Sequence, residues 1–137
     1  MKKLKRILLA GFCALAVSTG AFARGSVPVM NVENMEAVKP GNTSLSAEQV
    51  GKAINSALSA RGWTAKAEGN RIKATYSRGS HSATINVTYS AKSYSILYLD
   101  SSNLNYSKDK GAGTIHPTYN AWIKQLKTGI DTNLRMF

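Results

Sequence analysis

Cysteine is almost missing from this chain: there is one, Cys13, close to the N-terminus. That excludes a disulfide framework and, with only His81 and His116 as histidines, the ligand cluster that zinc or copper requires. No metal site and no cofactor are expected. Acidic residues are also scarce, seven against 18 Lys and Arg, for a formal net charge of +11. No two of them stand out as the carboxylate dyad of a glycosidase. Neither Ser101 nor Ser102 sits in a G-x-S-x-G elbow, so the context of a serine hydrolase is lacking. Gly111-Ala112-Gly113 leads to no lysine-bearing phosphate loop and reads as a flexible hinge. Apolar runs of membrane-spanning length are absent, as are internal repeats and low-complexity tracts.

What is present begins with a basic start, Met1-Lys2-Lys3-Leu4-Lys5-Arg6, followed by an apolar stretch from Ile7 to Val17 and by Ala21-Phe22-Ala23. Charge, apolar stretch and A-x-A in that order define a secretory signal peptide over residues 1–23, cut before Arg24. Cys13 raises lipidation as the rival processing signal, but Phe12 stands where that signal wants a small residue. Cleavage before Arg24 removes four of the 18 basic residues and none of the seven acidic ones, leaving +7. A periplasmic location follows as the expectation. The positive balance favours anionic neighbours such as lipid headgroups or cell-wall polymers, with no specific nucleic-acid partner. Ordinary solubility is the plainer use of such charge.

Residues 24–43 read as an extended leader, punctuated by Pro28 and Pro40-Gly41 and without sustained helical spacing. Residues 44–137 read as a single α+β domain. Ser46 with Gln49 three residues on forms a capping box, Leu45 and Val50 take the staple positions, and Gly62 ends the helix. From Trp63 the apolar period becomes two, giving three strands separated by Gly69-Asn70 and Arg78-Gly79-Ser80. A fourth strand, Tyr94 to Leu99, carries Tyr94, Ile96 and Tyr98 on one face but Leu97 and Leu99 on the other. That pattern predicts a strand covered on both faces. As the last strand of a meander it also needs something along its edge: the leader, a second copy or a partner. Pro117 opens a final helix whose stripe is Tyr119, Trp122, Ile123, Leu126, Ile130 and Leu134. The predicted architecture is a helix, a four-stranded antiparallel meander and a helix, with both helices on one face of the sheet.

Gly62-Trp63, His81-x-Ala83-x-Ile85-x-Val87-x-Tyr89, Tyr94-Ser95-Ile96-x-Tyr98-x-x-Ser101, Asn103-Leu104-x-Tyr106 and Ile115-His116-x-x-Tyr119-Asn120-x-Trp122-Ile123-x-x-Leu126 form a distinctive series. With them the chain resembles a family of small uncharacterised periplasmic proteins and lipoproteins of proteobacteria. The resemblance spans about Gln49 to Ile130 and implies a fold and a compartment, not an activity. Pro117 departs from the family's pattern after the histidine.

The residues leave a binding surface as the leading reading. With helices on the Ile72/Ile85 side, the other face of the sheet displays Lys66, Arg71 and Lys73 among hydroxyls, bordered by Leu97 and Leu99. That platform suits a protein partner or an anionic envelope polymer. Tyr106, in the polar loop, and the two histidines complete the candidate binding set, and no residue is assigned a catalytic role. Two alternatives stay open: a small envelope hydrolase centred on His81, His116 and Asp100, and a homodimer closed through the strand 94–99. On the plainer view His81 opens a strand and His116 caps a helix.

Overall fold

The computed structural model describes residues 25–37, 41, 44–109, 111 and 113–137. The expected signal sequence at 1–23 with Cys13, the expected cut before Arg24, Pro40 and Ala112 lie outside the described residues. The element order is β1 (Val27–Pro28), β2 (Val32–Glu36), α1 (Ala47–Ala60), β3 (Thr64–Glu68), β4 (Arg71–Arg78), β5 (His81–Tyr89), β6 (Ser93–Ser102), β7 (Thr114–Ile115) and α2 (Pro117–Leu134). The chain is α+β, as its periodicity predicts, and no helix among the described residues is long and apolar enough to cross a membrane.

Both helices start where local chemistry dictates. Ser46 Oγ accepts from the Gln49 N–H at 3.1 Å while Gln49 Oε1 accepts from the Ser46 N–H at 2.9 Å. This reciprocal pair satisfies two of the donors that a helix start leaves without partners. Gly62, at φ 85°, takes the left-handed position after the α1 C-cap at low steric cost. At α2, His116 is the N-cap, extended at φ −61° and ψ 138°, with Pro117 in the first turn.

The main sheet has five antiparallel strands in the order β2-β6-β5-β4-β3, not four. The extra strand comes from the leader. β2 pairs with β6 through Val32↔Ile96, Met35↔Tyr94 and Glu36↔Ser93, and β1 pairs with β7 in a separate two-stranded ribbon. The leader is therefore part of the fold, and it occupies the edge that the strand 94–99 would otherwise expose. A second copy closing through that edge would have to displace β2.

Ile72 and Ala74 of β4, Ala83, Ile85 and Val87 of β5, and Tyr94 and Ile96 of β6 are buried on one face. Both helices cover it: Tyr89 of β5 abuts Gly51 of α1, and Trp122 and Tyr119 of α2 meet Tyr76 and Tyr98 edge-on, at 4.8 and 5.6 Å between ring centroids. Ile54, Leu58, Ile123, Leu126 and Ile130 fill the layer between helices and sheet. Each such side chain contributes about 1.5–3 kcal/mol of transfer free energy.

The outer face differs from its expected description at β6. Leu97, opposite Asn86, is half-buried, and Leu99 is 44% exposed, so this side of the strand is not covered. The register shows why. Thr84 pairs with Asp100 and Ile85 with Tyr98, leaving Leu99 as the extra residue of a β-bulge. A bulge breaks the two-residue alternation, and an unbroken alternation was the basis for placing Leu97 and Leu99 on one buried face.

Candidate functional site

The register of β3 to β6 sets the outer face in rows. One row reads Lys66↔Lys73↔Asn86↔Leu97, the next Glu68↔Arg71↔Thr88↔Ser95, and the one on the other side Thr64↔Thr75↔Thr84↔Asp100. Lys66, Arg71 and Lys73 are all exposed. Lys66 and Lys73 stand directly opposite each other, an arrangement that repels. Among the described residues neither has an ion-pair partner; the one ion pair, Lys127–Asp131 at 2.7 Å, lies on α2. Lys66 alone would guard the β3 edge against unwanted pairing. Lys73 sits on β4, which is paired on both sides, so edge protection does not account for it. The Thr75 and Thr84 hydroxyls share a hydrogen bond of 3.1 Å beside this row.

His81 and His116 come together although 35 positions separate them in sequence. Their rings are stacked at 6.3 Å between centroids and tilted by 28°. His81 Nδ1 lies 2.8 Å from the Asn103 carbonyl and so donates to it, whereas His116 Nδ1 accepts from the Thr118 N–H at 3.1 Å. In the neutral rings the two bonds assign opposite tautomers. Each ring is thus bonded to backbone, His81 at the start of a strand and His116 at the start of a helix. Asp100 does not join them: it lies opposite Thr84 on the outer face, while His81 follows the inward parity of Ala83 and Ile85. No hydrogen bond among the described residues links Asp100 to either ring, and no group of three His, Cys, Asp or Glu there has the arrangement of a metal site. Ser101 Oγ is engaged with the Tyr98 hydroxyl at 2.7 Å.

Tyr106 is half-buried and stacks on Tyr98 at 4.3 Å and 23°. Gly113 makes this possible. At φ 104°, a Cβ there would lie 2.8 Å from the Tyr106 ring and 2.9 Å from the Ser107 carbonyl. Its own carbonyl accepts from the Val29 N–H at 3.0 Å. Gly113 is therefore a point of close approach between loop and leader, and the flexible-hinge reading of residues 111–113 does not hold for it.

Three tyrosines on this side hold their protons strongly. Burial pushes the Tyr94 hydroxyl far up, and its bond to Asp131 Oδ1 at 2.5 Å adds to the shift. Burial raises Tyr119, whose hydroxyl has no partner among the described residues. Tyr98 is raised by burial as well, with its bond to Ser101 opposing the shift.

Comparison of the chain with protein-family models, with curated proteins and with solved structures returned no match.

Proposed function

We propose that the chain is exported to the periplasm and acts there as a non-enzymatic binding module for an anionic component of the cell envelope, held on the outer face of the sheet. The observation that carries this reading is the Lys66–Lys73 row. Two like charges face each other on an exposed surface, with no carboxylate paired to either among the described residues. A bound phosphate or carboxylate would turn that local repulsion into attraction. Arg71 in the adjoining row and the Thr75 and Thr84 hydroxyls would add donors around the same anion. The basic balance left after removal of residues 1–23 supports the same class of partner.

The test is co-sedimentation with vesicles of phosphatidylglycerol or of phosphatidylcholine. Retention by the first and not the second is expected, weakening as salt rises because the contacts are exposed. A Lys66→Glu/Lys73→Glu variant should lose at least tenfold in affinity. Undiminished binding by that variant would overturn the reading. N-terminal sequencing of periplasmic protein should begin at Arg24.

A further inference from the structure

A second surface has a different chemistry. Where β6 ends, a hollow of about 570 Å³ opens, its lining running from Tyr98 to Lys108 and including Leu99, Asp100, Asn105 and Tyr106. Its size falls within the range of about 300–1,000 Å³ that holds small molecules. We propose that this hollow is a saccharide-binding site, taking one or two neutral sugar rings against Tyr106.

The aromatic part of the wall is fixed. Tyr106 is stacked on Tyr98, and Tyr98 is held in turn by Ser101 and by the edge of Tyr119. A rigid aromatic surface is what the C–H face of a pyranose packs against, with little ordering required of the protein. The lining also includes Asp100, Asn105 and Lys108, exposed residues that carry a carboxylate, an amide and an ammonium. Acceptors and donors of both signs suit hydroxyl groups, each of which is donor and acceptor at once. A purely apolar ligand would desolvate these groups without replacing their hydrogen bonds. An anion would meet Asp100, which sets this site apart from the lysine row.

The backbone is shaped to the same end. The bulge at Leu99 turns the end of β6, and Asn103 and Asn105 adopt left-handed φ values of 58° and 53°. Such values are uncommon outside glycine and mark positions held by their surroundings. Here the holding bonds are visible. Asn103 Nδ2 donates to the Ser80 carbonyl at 2.8 Å, and the Asn103 carbonyl accepts from His81. The His116 N–H donates to the Leu104 carbonyl at 2.8 Å, and Ser107 exchanges two bonds with Thr114 at 3.0 and 2.8 Å. The stacked histidines thus serve the hollow indirectly, as clamps on Asn103 and on the start of α2. The site is built before any ligand arrives.

The experiment is an amide-correlation NMR titration of the isotopically labelled protein. The probes are glucose, N-acetylglucosamine and the N-acetylglucosamine trimer, taken to about 10 mM, where even a millimolar site is about nine-tenths filled. Shifts confined to residues 98–108 are expected. Response to single rings would indicate free sugars as ligand, and response to the trimer alone would indicate a glycan chain. Asp100→Asn, at an exposed position whose side chain makes no hydrogen bond among the described residues, should keep the spectrum elsewhere and weaken binding at least tenfold. Lys66→Glu/Lys73→Glu should leave it unchanged, so this site and the lysine row stand or fall separately. No shifts with any probe, shifts located away from residues 98–108, or full binding by Asp100→Asn would each overturn the proposal.

Discussion

At one edge of the main sheet β2 lies along β6, and side chains take over where backbone pairing lapses. Asn31 Oδ1 accepts from the Tyr98 N–H at 2.9 Å, Ser95 Oγ from the Asn34 N–H at 2.9 Å, and the Ala37 N–H reaches the Lys92 carbonyl at 2.8 Å. Asn120 on α2 clamps the same segment from the other side, accepting from the Met30 N–H and donating to the Pro28 carbonyl. At the opposite edge no strand among the described residues lies beyond β3, and all five of its residues are exposed. Even Ala65 and Ala67, which share the parity of the buried Ala74 and Ile72, remain in solvent. The two edges teach that a strand is covered according to what it displays. β6 carries the large inward groups Tyr94, Ile96 and Tyr98 and needs a neighbour to seal them, whereas β3 offers only alanines inward and Thr64, Lys66 and Glu68 outward. A short polar strand with a central lysine is tolerable as an edge; a ten-residue strand rich in aromatics is not.

The sharpest way to break that comparison is to place a charge at each edge. Val32, 4% exposed and paired with Ile96, should tolerate aspartate badly: Val32→Asp is expected to cost about 3 kcal/mol or more. Ala65→Asp should stay within about 0.5 kcal/mol. Urea unfolding of both variants checks the pair, and equal losses would abolish the distinction.

The raised tyrosines supply the next test, since Tyr94 and Tyr98 lie on β6 and Tyr119 packs beside them. Their neutral forms are favoured in the folded chain. The resulting stability is fully present below the unfolded value near ~10 and is lost as pH climbs above it. Each of Tyr94 and Tyr119 should contribute a loss of about 1.4 kcal/mol per pH unit there. Between pH 9 and pH 11 the pair together should remove about 3 kcal/mol. A Tyr94→Phe/Tyr119→Phe variant should show a flatter alkaline limb in denaturant titrations at the two pH values. An unchanged slope would mean that these hydroxyls ionise as easily folded as unfolded.

The smallest expected effect concerns the clamp alone. Asn120→Ala removes both side-chain bonds to the leader and should cost about 1–2 kcal/mol. Its signature should be regional. Hydrogen exchange should accelerate at the amides of Val29 to Ala37 while those of β4 and β5 keep their protection. Uniform acceleration would show that the leader opens only with the whole domain.

Much of this arrangement was legible beforehand because it depends on neighbours in sequence. The Ser46/Gln49 box, Gly62 after α1, Pro117 in the first turn of α2 and the alternation along β4 and β5 each declare themselves within a few residues. The leader's strands did so only in outline, as one of three candidates for the β6 edge. β2 is short, and Asn34 at φ 51° interrupts its pairing between Val32 and Met35, so no period of two survives to be read. Nor was the bulge at Leu99 visible, because an inserted residue looks like any other until its partner strand is known. The alternation puts Lys66, Arg71 and Lys73 on one face, but the direct opposition of Lys66 and Lys73 needed the register.

Charge balance, helix boundaries and the meander are matters of composition and of contacts a few residues apart, which a single sequence states directly. Which segment seals β6, how two histidines 35 positions apart come to stack, and where a hollow forms beside Tyr106 depend on contacts across 20 to 90 positions. Such contacts follow from side-chain volume, register and loop closure acting together. They are settled only once the whole chain has packed.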